Sequence, residues 1–297
     1  MPAPPGRDNV LMSLASWNTL ALALACAGLG WGAEPSAERI LGSVSFYASF
    51  DSAVEGDRGG GVLQVSTRFN HETEKGRFVF EKGFDREVFR IVPGGVSGRA
   101  LEAARTLPRN GRIFVPAAGN VAYRKVGWAG SASFWLKTDP NRMLKSFSDP
   151  VQLTERGALN GGIWCDFNDA TPRDMRMGLF PAIPPGSKPV PESDPAAPLI
   201  WNRRVDFRAA DWRHVAMTWE NLDSGRADAR GWLYVDGKLI GTMGPREIAM
   251  QWDLARTGIY IAVGYVGLMD ELALFDRVLT PGEVNMLRAR PGLLRGR

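Results

Sequence analysis

The sequence predicts an all-β fold, an antiparallel sandwich closed by one short C-terminal helix. Three observations carry the prediction. Short apolar or alternating runs recur along the chain, bounded by Gly, Asn, Asp and Pro. Gly (34) and Pro (20) are both above their usual share for 297 residues, which favours turns over long helices. No β–α–β alternation appears, so a parallel doubly wound sheet is disfavoured.

Taken in order, the predicted strands are 44–50, 61–65, 77–80, 100–102, 132–137, 162–167, 175–179, 199–201, 214–220, 229–235, 238–243, 259–263 and 267–275. In 214–220, alternation sends Val215, Met217 and Trp219 to the core face. In 267–275 it separates Asp270, Leu272 and Leu274 from Glu271, Ala273 and Phe275. Between 229–235 and 238–243, Asp236-Gly237 supplies the positive φ angles of a type I′ hairpin turn. Thr280, Pro281 and Glu283 form the N-cap, first-turn proline and capping box of a helix that Pro291 stops. The stretch 180–198 holds seven prolines and is long for a connection within a domain. It reads as a functional loop or a disordered excursion.

Residues 1–33 read as a secretory signal peptide: a short apolar stretch at 20–29 is followed by small residues, with alternative cleavage points after Ala27, Gly32 and Ala33. The apolar core is too short and too interrupted for a membrane span. A rival reading makes Cys26 the anchor of a lipoprotein. An exported protein is expected either way, in the periplasm, the cell envelope or the medium. With the leader removed, Cys165 is the one cysteine left, so packing rather than a disulfide holds the fold. Cys165 reads as a small buried apolar residue and His214 as a structural histidine. The net charge of +4 comes with 29 Arg against 7 Lys, scattered rather than striped, which argues against nucleic acid.

The segments Ser133-Phe-Trp-Leu-Lys137, Asp211-Trp-Arg-His-Val-Ala-Met-Thr-Trp219, Leu233-Tyr-Val-Asp-Gly-Lys238 and Gly267-Leu-Met-Asp-Glu-Leu-Ala-Leu-Phe275 stand in a specific order, followed by Asp276-Arg-Val-Leu-Thr-Pro-Gly-Glu283. That order resembles the laminin-G-like jelly-roll domains of the concanavalin A-like lectin and glucanase superfamily, over about 41–290. The resemblance implies a two-sheet jelly roll and a structural calcium ion, with Asp51 and Asp270 at the matching positions. It also implies a binding or adhesion module for carbohydrate or for an extracellular or envelope protein.

Glucanases of this superfamily resemble one another in a Glu-x-Asp-x-Glu strand. Glu55-x-Asp57 and Glu192-x-Asp194 each lack the second Glu, and no nucleophile elbow or phosphate-binding glycine loop is present. No catalytic residue is therefore assigned, and the expected protein is not an enzyme. Trp164 and Trp201 flank the proline-rich segment, and of the tryptophans these two are the expected ligand platform. The alternatives are an assembly protein of the envelope and a glycan hydrolase with an unrecognised site.

Overall fold

The computed structural model describes residues 35–74, 76–143 and 147–295. These lie in one compact unit, Glu34–Arg297. The expected leader, with Cys26, falls outside the described residues. In chain order the elements are α1 (Ala37–Gly42), β1 (Val44–Ala48), β2 (Arg58–Gly59), β3 (Ser66–Asn70), β4 (Phe78–Lys82), β5 (Phe89–Pro93) and β6 (Arg99–Ala103). Then come β7 (Arg112–Pro116), β8 (Trp128–Lys137), β9 (Ser148–Thr154), β10 (Gly162–Phe167), β11 (Met175–Phe180) and β12 (Leu199–Asn202). The chain ends with β13 (Arg213–Leu222), β14 (Ala229–Val235), β15 (Lys238–Arg246), β16 (Gly258–Val263), β17 (Gly267–Phe275) and α2 (Pro281–Ala289).

The strands make two antiparallel sheets. The first runs β15-β14-β13-β8-β17-β1-β2, with β6 also on β17 and β5 on β6; the second runs β12-β11-β10-β9-β16-β7-β3-β4. Their inner faces pack together. Val215, Met217, Trp219, Leu272 and Leu274 of the first sheet share one core with Val151, Leu153, Ile163, Cys165, Met177 and Ile261 of the second. The opposite face of the first sheet is covered too. Tyr47, Ala216, Ala273 and Phe275 are buried with Ile40 of α1 and Val284 and Leu287 of α2. With the helices on that side, the outer face of the second sheet is left to carry a different set of side chains.

Local chemistry explains the elements that sequence analysis located. Asp236 and Gly237 have φ of 49° and 77°, as a type I′ turn needs. In α2 the Thr280 side chain accepts from Glu283 N–H while Glu283 accepts from Thr280 N–H, a complete capping box.

Several elements differ from expectation. Residues 61–65 form no strand, and the short β2 precedes them. A second short helix, α1, begins after the N-cap Ser36. Five strands, β2, β3, β5, β7 and β9, lie where the sequence pattern predicts none. Pro150 makes β9 read as a turn, yet a bulge in the β9–β10 register, between Cys165 and Phe167, accommodates it.

The proline-rich stretch 180–198 is a folded loop. Ala182 N–H donates to Ala249 O at 2.7 Å, Ile183 N–H to Asn160 Oδ1 at 2.9 Å, and Arg246 Nη1 to Ala196 O at 2.7 Å. Glu192 at its tip reaches Arg176 at 2.7 Å. The loop thus forms one rim of the second sheet's outer face.

Candidate functional site

Strand register builds the site row by row. On β10, Ile163, Cys165 and Phe167 point into the core, so Trp164 and Asp166 point outward. Pairing aligns Phe114, Tyr260, Gln152, Trp164 and Gly178 in one row across β7, β16, β9, β10 and β11. A neighbouring row contains Phe80, Arg68 and Arg112 at one end and Asp166, Arg176 and Trp201 at the other. Between and above these rows lies a cavity of about 520 Å³, walled by Phe78, Phe147, Trp164, Arg68, Arg112, Asp149, Gln152, Asp166 and Glu192 among others.

Trp164 forms part of the wall. It is 1% exposed, its Nε1 donates to Ala158 O at 3.0 Å, and its ring stacks on Phe180 at 5.7 Å between centroids. Gly178 opposite makes this possible, because a Cβ there would stand 2.3 Å from Trp164 Cε2. Trp164 is therefore a buried wall rather than the exposed platform expected of it, because Gly178 lets the indole lie down on the sheet. Trp201 is half-buried, and the guanidinium carbons of Arg203 and Arg176 lie 3.6 Å and 5.1 Å from its ring centroid. Its ring is engaged by the protein's own cations.

Arg176 organises this end of the cavity. Its Nε donates to Asp166 Oδ1 at 2.9 Å, its Nη2 to Asp166 Oδ2, and its Nη1 lies 2.7 Å from Glu192. Burial works against the Arg176 charge, but the hydrogen bonds and charges of Asp166 and Glu192 more than offset it. Burial lifts the Asp166 carboxyl to about 6, with Arg176 opposing the rise. Asp149 is raised well above the usual carboxylate range by burial, reinforced by the nearby Asp166. The nearby Arg112 and Arg176 oppose the rise.

Gln152, also of the cavity's lining, is 1% exposed, and its Oε1 has no hydrogen-bond partner among the described residues. A buried acceptor without a donor is destabilising, so this atom is available to a ligand's hydroxyl or N–H. Toward β3, Arg68 is 4% exposed and donates to Tyr260 Oη at 2.8 Å.

The predicted metal residues meet at a different place. Asp51 Oδ1 accepts from Arg99 N–H at 2.8 Å, and Asp270 Oδ2 accepts from Ser97 N–H at 3.2 Å, so both carboxylates hold one turn. Asp270 Oδ1 also accepts from Glu271 N–H. The other Asp51 oxygen pairs with Arg295 at 2.8 Å, and Arg295 donates as well to Glu271 at 2.7 Å and to Ser97 O. A guanidinium thus sits among these oxygens, and those of Asp270 accept backbone N–H groups. The residues as arranged do not fit a calcium ion. Among the described residues no group of three or more His, Cys, Asp or Glu could hold a metal.

His214 and Cys165 are structural. His214 is fully buried, its Nε2 2.9 Å from Ser133 Oγ and its ring 5.1 Å from Trp135, and burial lowers its pKa to about 3. Cys165 is buried in the core, where burial pushes the thiol up.

Sequence reasoning named Trp164 and Trp201, of which Trp164 lines the cavity, and did not name Gln152, Asp149, Asp166, Arg176, Arg68 or Tyr260. The alternation in 162–167 pairs Asp166 with Trp164 on one face, and that much was readable. The rest depends on which strands neighbour β10.

Among the described residues no helix is long and apolar enough to cross a membrane. Residues 192–285 match the family model Laminin_G_3, of the concanavalin A-like lectin/glucanases superfamily. No curated protein matches the sequence. Solved structures share the fold. Domain 4 of AbnA, a GH43 extracellular arabinanase from Geobacillus stearothermophilus solved in complex with arabinotriose, is 16% identical, with a TM-score of 0.50 over 83% of this chain and 98% of that one. The binding domain of Paraclostridial Mosquitocidal Protein 1 is 15% identical, at 0.53 over 84% of this chain and 52% of that one. A botulinum neurotoxin type C structure, described as dependent on two ganglioside molecules for cell entry, is 12% identical, at 0.54 over 86% and 52%. The chain spans about half the length of these two toxin chains.

Proposed function

The chain carries a concanavalin A-like jelly roll with a laminin-G-like stretch at 192–285, and we propose that it acts as an exported, non-catalytic binding module for carbohydrate. The binding site is the cavity on the outer face of the second sheet. The observation that carries this reading is Gln152: a buried, unpartnered Oε1 in a cavity walled by Trp164, Phe78 and Phe147. Sugars offer hydroxyl donors for such an acceptor and C–H faces for such rings. The arabinotriose complex and the ganglioside dependence of fold relatives support the ligand class by analogy only.

The non-catalytic part rests on Asp166. Both of its oxygens accept from Arg176, so it is poorly placed to act as nucleophile or base beside Asp149. Export rests on the leader at 1–33, with Cys26 as the alternative lipid attachment. In the cation site, Arg295 supplies the positive charge that the resemblance assigns to calcium.

Screening the mature protein against a glycan array, with turnover of bound polysaccharides followed by reducing-end release, tests the reading. Binding without turnover, weakened by Gln152→Leu, supports it. Silence on every glycan moves the function to a protein partner, and turnover overturns the non-catalytic part. Mass spectrometry of the mature amino terminus checks the leader and Cys26.

A further inference from the structure

Two arginines of the cavity stand apart from the rest. Arg68 and Arg112 are directly opposite each other on β3 and β7. Like charges in that position are destabilising; for Arg68, burial first and Arg112 as well depress its pKa, against support from Tyr260. Among the described residues neither enters an ion pair. Arg68, 4% exposed, has the Tyr260 hydroxyl at 2.8 Å and the rings of Phe78 and Tyr260 at 4.2 and 4.6 Å. Arg112 Nε donates a long 3.4 Å hydrogen bond to Asn110 O, and its charge acts on Asp149 without an ion-pair contact among the described residues.

The cavity's other arginines are neutralised. Arg176 is held by Asp166 and Glu192, and Arg156 lies 3.4 Å from Glu155 and donates to Met250 O. Asp149 shares the cavity wall with the two guanidinia and forms no ion pair with either among the described residues; burial, reinforced by Asp166, raises its carboxyl well above the usual range, against the nearby Arg112. A buried charge without a counter-charge is costly, and a bound anion offsets that cost.

Resting on the proposed carbohydrate-binding reading, we propose that the cavity selects acidic glycans, with Arg68 and Arg112 gripping an oxyanion substituent while the aromatic wall and Gln152 hold the sugar ring. The planar forks of two guanidinia suit a uronate carboxylate or a sulfate ester alike.

The test is calorimetric titration of the mature protein at fixed salt with polygalacturonate, dextran sulfate and neutral dextran and arabinan. Arg112→Gln, Arg68→Gln and the remote, exposed Arg226→Gln are run beside wild type, with folding checked by circular dichroism. Arg112 is half-buried, so its variant remains informative if Arg68→Gln fails to fold. The expected result is binding to one or both acidic polymers, weakened about ten-fold by Arg112→Gln and unchanged by Arg226→Gln. Preference for polygalacturonate identifies a carboxylate and preference for dextran sulfate a sulfate. Equal loss in Arg226→Gln means adhesion of a basic protein to polyanions and overturns the proposal. Neutral-glycan binding indifferent to Arg112 overturns it while leaving the carbohydrate reading intact. No binding to any polymer overturns both.

Discussion

Arg295 pairs with Asp51 at 2.8 Å, and the same guanidinium reaches Glu271 at 2.7 Å, joining the chain's last described residue to the loop after β1 and to β17. The positive charge at this junction belongs to the polypeptide. Thermal unfolding of wild type is therefore expected to be the same in chelator and in millimolar calcium.

Arg295→Ala leaves two carboxylates without their cation. Its stability falls by about 2 kcal/mol, less than for a fully buried pair because the side chain retains some exposure. Calcium is expected to raise the Tm of this variant selectively. A wild-type Tm that drops in chelator would refute the assignment.

The cavity wall separates binding from stability. Gln152→Leu removes an acceptor that has no partner, so the unliganded protein is expected to be as stable as wild type or slightly more so. Glycan affinity falls about ten-fold. Calorimetry of the free and bound forms reads both effects on one sample.

Gly178→Ala acts through its neighbour. The new methyl meets Trp164 at 2.3 Å, so the indole must lift from the sheet. A loss of about 1–3 kcal/mol is expected, with a change in Trp fluorescence and weakened glycan binding. Trp164→Ala costs more, about 3–5 kcal/mol. Normal fluorescence and binding in Gly178→Ala would mean that the wall is not rigid.

His214 gives an acid limb to stability. Its folded pKa of about 3 lies below the unfolded value near 6.5, so its contribution is complete above pH 6.5 and declines as pH falls toward 3. Asp166 has the opposite sign, because its folded pKa is raised to about 6 and its contribution is lost as pH rises through that value. Comparing Tm between His214→Gln and wild type across pH 3–8 isolates the histidine: the gap is expected to be widest near neutrality and to narrow in acid. A constant gap would show that His214 does not titrate with unfolding.

At α2, Thr280→Ala removes the cap and is expected to cost about 1 kcal/mol. Glu283→Gln is expected to cost more, because Glu283 also receives two bonds from Arg277 at 2.8 Å. Chemical denaturation of both variants checks the order.

Where a few adjacent residues decide a conformation, the sequence was readable. Asp236-Gly237 makes its turn, Thr280 and Glu283 their box, and Val215, Met217 and Trp219 their core face. Pro150 hid β9, because the bulge that tolerates it depends on β10. The six residues 37–42 are too few to show helical periodicity. The cavity is harder still. Arg68, Gln152, Trp164 and Tyr260 meet because β7 and β16 lie between β3 and β9, an order set by long-range pairing that no local window contains. The same holds for Arg295, whose partners Asp51 and Glu271 lie far from it in sequence.

The place of β1 has a temporal consequence. Its Val44–Ala48 backbone pairs with β17, at Phe275–Leu272, so one of the first strands to leave a ribosome waits for one of the last. Pairings this distant are slow to form. Until the chain is synthesised past about residue 275, β1 and β8 each lack their β17 neighbour and present open edges to the surroundings. Truncation before that point yields an adhesive half-sheet rather than a smaller folded protein.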